Sequence, residues 1–239
     1  MKRGLLVIAL MVGFIGLKAQ NVVYDPNAEV RKVADFNAIE VSGTVSLYLS
    51  QGDETGIAVS AGDEKYNSKI KTEVKNGVLQ ISVDGGMWNG FSWTNKKLKA
   101  YVSVKDLTSL HVTGASYVTT TGNVKTENLN VEVSGASELK GSLQVKNLNL
   151  AISGASVARL MGVAENVNIE ASGAARISAF DLQVDNGKFD ISGASHITIS
   201  VNKEFSASAS GGSSIQYKGD ALAKSMNASG GATIKKKTL

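Results

Sequence analysis

The 239-residue sequence has no cysteine and a single proline, Pro26. Without cysteine there can be no disulfide framework, thiolate metal site, cysteine nucleophile or lipid-modified cysteine. Histidine is nearly as scarce, with only His111 and His196. Aromatic residues are 6% of the chain, and both tryptophans, Trp88 and Trp93, fall in one glycine-rich stretch with Phe91. No Gly-x-Ser-x-Gly elbow, phosphate loop or dinucleotide fingerprint is present. Ser-x-x-Lys occurs three times, at Ser68–Lys71, Ser137–Lys140 and Ser200–Lys203. In a chain so rich in Ser and Lys, that recurrence reads as chance.

Long apolar runs are missing too, apart from one at the start. Lys2 and Arg3 precede thirteen residues from Leu5 to Leu17, and the small Ala19 precedes Gln20. This is the pattern of a secretory signal peptide cut after Ala19. The run is shorter than the roughly 20 apolar residues a spanning helix needs, and no later segment qualifies. The expectation is an exported protein of the periplasm, outer surface or medium, with no stable membrane insertion after cleavage. The formal charge of +4 (25 basic minus 21 acidic residues) loses Lys2, Arg3 and Lys18 on cleavage, leaving 22 minus 21, or +1. The basic pI is therefore no sign of a nucleic-acid partner. Lys235, Lys236 and Lys237 form the only dense basic cluster and read as a solvated tail.

Glycine, by contrast, is abundant at 25 residues. Seven small-residue turns centre on Gly114, Gly135, Gly154, Gly173, Gly193, Gly211 and Gly230, which are 21, 19, 19, 20, 18 and 19 residues apart. Most read Ser-Gly-Ala-Ser. Counting from each glycine, positions two before (Val112, Val133, Ile152, Ala171, Ile191, Ala209, Ala228), four before and four after are all apolar. The positions between them are mostly polar, so the strands have one buried face. A fixed period of about 20 residues with β alternation is the mark of stacked coils. Asn128, Asn147, Asn166 and Asn186 recur six residues before the serine of the next turn. They predict a second corner, with a left-handed backbone and side-chain amides bonded along the stack. Ala207, Ala209 and Ala228 replace larger core residues in the last coils, which predicts a tapering C-terminal end.

The fold class is thus all-β: a parallel β-helix or β-solenoid of about 19–21 residues per coil, preceded by a hairpin-bearing β region. Seven coils at about 4.8 Å each give a rod on the order of 30–35 Å. The hairpin is read at Asn76-Gly77, between the runs Ile70–Val74 and Val78–Val83. The predicted organisation is signal peptide 1–19, lead-in 20–34, N-terminal β region 35–106, regular coils 107–234 and basic tail 235–239.

Catalytic candidates are few. His111 and His196 lie four coils apart, too far to share a metal. Glu132, Glu170 and Asp190 occupy one outward row that Ala151 interrupts, which reads as a solvated carboxylate face. The outward row Tyr117, Glu138, Val157, Arg176, His196, Ser214 and Thr233 varies without a pattern. No catalytic residue, cofactor or metal is expected. The binding candidate is the aromatic stretch Trp88, Phe91 and Trp93, whose flat rings suit sugars or a protein hot spot. The competing reading makes it a cap on the helix.

The run Val41-Ser42-Gly43-Thr44-Val45-Ser46-Leu47-Tyr48-Leu49-Ser50-Gln51-Gly52 resembles the opening of the head GIN domain family of auto-transporter adhesin-like proteins. Ile70–Ile81 resembles its second block and the Ser-Gly-Ala-Ser series its third, so that the likeness covers about residues 31–234. The family's Gly-Ile-Asn falls on Thr44, Val45 and Ser46, keeping only the apolar centre. The resemblance implies an exported β-helical adhesin without catalytic residues. The sequence leaves no stretch for a C-terminal membrane barrel, so the auto-transporter part of the label is not expected to carry over. The function expected is a non-enzymatic binding or adhesin-like module of the cell envelope, for a cell-surface glycan or protein. The alternatives are a polysaccharide-active enzyme and a self-associating structural protein.

Overall fold

A computed structural model of the chain describes residues 25–84 and 97–237. The expected signal peptide and the stretch with Trp88, Phe91 and Trp93 lie outside the described residues.

The chain is a β-solenoid with two broad, opposed sides. The N-terminal strands are β1 (Glu29–Arg31), β2 (Ala38–Val41), β3 (Ser46–Gln51), β4 (Gly56–Ser60), β5 (Ile70–Lys75), β6 (Val78–Val83), β7 (Lys99–Val104) and β8 (Ser109–Val112). Five long strands follow: β9 (Tyr117–Val133), β10 (Glu138–Ile152), β11 (Val157–Ala171), β12 (Arg176–Ile191) and β13 (His196–Ala209). The C-terminal end is made by β14 (Ser214–Lys218), β15 (Leu222–Ala228) and β16 (Thr233–Lys236). On side 1 the spatial order is β1-β4-β7-β3, the first halves of β9 to β13, then β14 and β16. On side 2 it is β5-β6-β2-β8, the second halves of the long strands, then β15.

Each long strand pairs in parallel with the next, with equivalent residues in register: Leu139 stands beside Ala158, Ala158 beside Ile177 and Ile177 beside Ile197. The apolar positions counted from each turn glycine face inward and join one core that runs from Phe36 to Ile215. The last coil departs from this. Met226 and Ala228 keep the inward register opposite Ala207 and Ala209, yet they are exposed, with no further coil over them among the described residues.

The small-residue turns form one column. Gly135 has φ +78°, and a Cβ on it would lie 2.4 Å from the Gly114 carbonyl oxygen. A side chain is therefore excluded both by backbone hand and by the coil beneath. Ala136 N–H donates to Gly114 O at 2.8 Å, and Ala155 N–H to Gly135 O at 2.8 Å. The column continues N-terminally past Gly114 to Gly43, whose carbonyl accepts from Ala115 N–H at 2.7 Å. The second serine of the turn points inward: Ser116, Ser137, Ser156, Ser195 and Ser213 are all buried.

The hairpin forms as read, with Asn76 at φ 51° and Gly77 at φ 77° between antiparallel β5 and β6. The second corner differs from expectation. Among described residues only Asn76 and Lys97 are non-glycines at positive φ, so the recurring asparagines are not left-handed. The strand instead slips its alternation by one residue: Leu143 and Val145 face inward, then Leu148 and Leu150. That slip bends the chain at Lys146-Asn147 without a strained residue. The expected amide ladder does form. Asn147 Nδ2 donates to Asn128 Oδ1 at 2.8 Å, Asn166 to Asn147 at 2.9 Å and Asn186 to Asn166 at 2.9 Å.

The lead-in holds a strand, β1, antiparallel to β4. Asp25 fastens it. The Asp25 side chain is 9% exposed and accepts from Lys99 Nζ at 2.9 Å, Tyr101 Oη–H at 2.8 Å and Ser60 Oγ–H at 2.9 Å. Burial pushes its pKa up, but these three bonds and one from Asn27 N–H outweigh it and hold the carboxyl below its ordinary value. Burial, and then the bond to Asp25, push the Tyr101 phenol upward. Tyr101 also stacks on Tyr48, with ring centroids 5.2 Å apart.

Candidate functional site

Side 2 carries the main surface concavity. Its outward residues on successive coils make a trough of about 540 Å³ lined by the asparagine ladder, Lys188 and Glu204. A second hollow of about 230 Å³ adjoins it beside His111, Glu132 and Glu170. Asn149 and Asn168 line both, so the two are one lane along the rod.

The lane has three parallel rows. The first is the ladder Asn128, Asn147, Asn166 and Asn186, followed in register by Glu204. Each inner amide uses one N–H and one lone pair within the ladder. A second N–H and further acceptor capacity remain for a ligand. The second row is Ser109, Asn130, Asn149, Asn168 and Lys188. Asn149 Nδ2 donates to Asn130 Oδ1 at 2.9 Å, while Asn168 Oδ1 is buried without a hydrogen-bond partner. The third row is Glu40, His111, Glu132, Ala151, Glu170 and Asp190. Gln80 Nε2 donates to Glu40 at 3.1 Å, and His111 Nδ1 lies 3.2 Å from Glu132 Oε2. Glu170 and Asp190 are adjacent and in no ion pair among the described residues. The lane is therefore rich in amides and mixed in charge, with Lys188, Lys224 and Glu204 in the trough and His111, Glu132 and Glu170 in the hollow. Its groups repeat at the coil spacing of about 4.8 Å.

The sequence placed Glu132, Glu170 and Asp190 in one row, and the structure does so. It separates the histidines, with His111 on side 2 and His196 on side 1. His196 is half-buried; burial and then the neighbouring Arg176 cation lower its pKa. Among the described residues no cluster of three or more His, Asp or Glu could hold a metal ion. The row from Tyr117 to Thr233 lies on side 1, where Glu138 pairs with Arg159. Trp88, Phe91 and Trp93 lie outside the described residues, but the flanks of their segment are placed. Val83 packs where a Gly43 side chain would be, and Leu98 O accepts from Ser46 N–H at 2.9 Å. Val83 and Leu98 thus lie at the N-terminal end of the glycine column. The second amide row and the orphan Asn168 were not read from the sequence. The every-coil recurrence of Asn130, Asn149 and Asn168 was the available signal.

A family model described as "Putative auto-transporter adhesin, head GIN domain" matches residues 35–221. A crystal structure of a "putative adhesin" from Bacteroides fragilis is 25% identical, with a TM-score of 0.81 over 88% of this chain and 96% of that one. A "putative adhesin" from Parabacteroides merdae is 20% identical, with a TM-score of 0.70 over 88% and 95%. A "putative lipid binding protein" from Parabacteroides distasonis is 22% identical, with a TM-score of 0.65 over 90% and 98%. No curated protein matches the chain.

Proposed function

The chain belongs to the head GIN domain family of auto-transporter adhesin-like proteins, and from that premise we propose that it is an exported, non-enzymatic binding module of the cell envelope. Its ligand, a surface glycan or a protein segment, lies along the side 2 lane. The observation that carries this reading is the lane itself: two rows of amides at coil spacing, with the unpartnered buried Asn168 Oδ1 at its centre. A buried acceptor without a donor is costly unless something satisfies it. Rotation of the Asn168 side chain toward the lane would bring that oxygen to a hydroxyl or amide N–H of an extended ligand. Charge in the lane is mixed, with Glu204 paired to Lys224 and Glu132 facing His111, so recognition rests on hydrogen bonding by the amides rather than on the sign of the ligand's charge. The adhesin descriptions of the family and of the Bacteroides fragilis relative agree with a binding role.

The segment with Trp88, Phe91 and Trp93 is the competing contact. A binding screen of the exported chain against glycans and surface proteins tests the proposal. Asn147→Ala with Asn166→Ala should abolish most binding while the fold is kept. Loss only on Trp88→Ala with Trp93→Ala would move the site to the aromatic segment. Failure to bind any glycan or surface protein would count against the module. Adjacent Glu170 and Asp190 motivate the enzymatic alternative, which requires turnover of a polysaccharide that Glu170→Gln removes. Export is tested by N-terminal sequencing of the mature protein, expected to begin near Gln20.

A further inference from the structure

We propose that the C-terminal end of the rod docks peripherally on an anionic lipid surface. Three observations meet there. First, among the described residues the end is uncovered: β16 closes the order of side 1, β15 pairs only with β13, and each leaves one strand edge open. Met226 is 49% exposed, whereas its register partner Ala207 one coil earlier is buried, and Leu222 on the outward row beside it is 67% exposed. Second, charge is concentrated there. Residues 218–237 hold Lys218, Lys224, Lys235, Lys236 and Lys237 against Asp220 alone, 5 minus 1, or +4. Residues 20–217 hold the remaining 17 basic and 20 acidic residues, or −3. Third, three of those lysines are uncompensated. Lys224 pairs with Glu204 and Lys236 with Asp220, but Lys218, Lys235 and Lys237 are in no ion pair among the described residues. The Lys218 and Lys237 ammoniums lie 5.1 and 4.9 Å from the half-exposed Phe180 ring.

Charge complementarity selects the partner. Joining two C-terminal ends would bring +4 against +4. The opposite end is closed over by the polar 3₁₀ turn Glu64–Lys69, with its Asn67 buried beneath. A second copy therefore fits poorly at either end. An anionic bilayer accepts apolar side chains at its acyl boundary and ammoniums at its phosphates together. Docking there would stand the rod on its end and leave the side 2 lane free on the N-terminal side of Lys224.

The test is co-sedimentation of the exported chain with vesicles of phosphatidylcholine alone or mixed with phosphatidylglycerol. Binding is expected only to the mixed vesicles and should weaken as salt screens it. Each lysine near such a surface is worth about fivefold, so Lys235→Glu with Lys237→Glu should lose at least about twentyfold. Met226→Asp, at an exposed site, should weaken binding without altering the circular dichroism, and Asn166→Ala should leave it unchanged. Equal binding to both vesicle types, no binding to the mixed vesicles, or indifference to the charge reversal would overturn the proposal. So would a concentration-dependent dimer that Met226→Asp abolishes, which would make a second copy the occupant.

Discussion

Replacing Gly154 by alanine separates two costs that the glycine column combines. Gly154 has φ +69°, and its ideal Cβ would sit 2.4 Å from the Gly135 carbonyl oxygen. Gly122 is the control, with φ +88° and nothing within 4 Å of its Cβ. Both substitutions pay the left-handed penalty of an L side chain, about 1–2 kcal/mol. Both also recover about 0.5–1 kcal/mol by restricting the unfolded chain. Only Gly154→Ala collides with backbone. Bringing that contact to 3.0 Å, below which real Cβ contacts essentially never fall, needs a shift of 3.0 minus 2.4, or 0.6 Å. If taken along the Ala155 N–H to Gly135 O bond, the same shift stretches it from 2.8 to 3.4 Å. The coil above repeats the geometry, with Ala174 N–H on Gly154 O at 2.8 Å, so the displacement cannot be absorbed on one side alone. Overpacking of this kind adds about 1–3 kcal/mol. At about 2–4 °C per kcal/mol for a chain of this size, Gly122→Ala should lower Tm by at most about 6 °C, and Gly154→Ala by about 2–12 °C more than that. Thermal melts followed by the β signal in circular dichroism measure both. Equal shifts would mean that the column is set by backbone hand alone, and the close-stacking argument would be refuted.

Core register offers a second test. Ile177 is fully buried between Ala158 and Ile197, so Ile177→Asp should cost several kcal/mol in urea unfolding, about 3 or more, while Arg176→Asp next door should cost under about 0.5. Asn166→Ala removes two ladder bonds, to Asn147 and from Asn186, and should cost about 1–2 kcal/mol by the same measurement. The folded-state pKa of His196 lies below its ordinary 6.5, so the unfolded chain binds more protons there. Stability should therefore fall as pH drops through 6.5 toward the folded value, and His196→Gln should flatten that part of a Tm–pH profile. Asp25, also depressed, contributes stability above its ordinary 3.8 that is lost as pH falls below it. Asp25→Asn should remove that acid limb and lower Tm at neutral pH.

The coil array was legible because its constraint recurs. A corner that only glycine can occupy, followed by a small residue and a serine that turns inward, imposes the same chemistry on every coil and so writes a period into the chain. Gly43 obeys the same constraint, but its neighbours Thr44 and Val45 are not the usual Ala-Ser, and only the bond from Ala115 places it in the column. The order of the N-terminal coils was not legible either. β6 and β7 stack outside β2 and β3, although they follow them in sequence, because β2 pairs with both β6 and β8. Pairing partners tens of residues apart leave no mark on local alternation. The Asp25 latch is hidden for the same reason, since its partners Ser60, Lys99 and Tyr101 come from three distant positions.

The asparagine corners show how a correct feature can rest on the wrong cause. Asparagine suggested a left-handed bend, whereas the bend comes from a slip in side-chain alternation that any residue could make. Asn recurs at 128, 147, 166 and 186 because an amide can both donate to and accept from its equivalents above and below. The same property leaves each ladder amide with spare donors and acceptors at a fixed repeat. The second row, Asn130, Asn149 and Asn168, lies outside the bend altogether and so owes nothing to corner geometry. Its recurrence is what turns a structural ladder into a lane, and it is why the binding reading rests on side 2. If Asn149→Ala and Asn168→Ala leave both stability and ligand binding unchanged, the second row has neither role and that reading loses its main support.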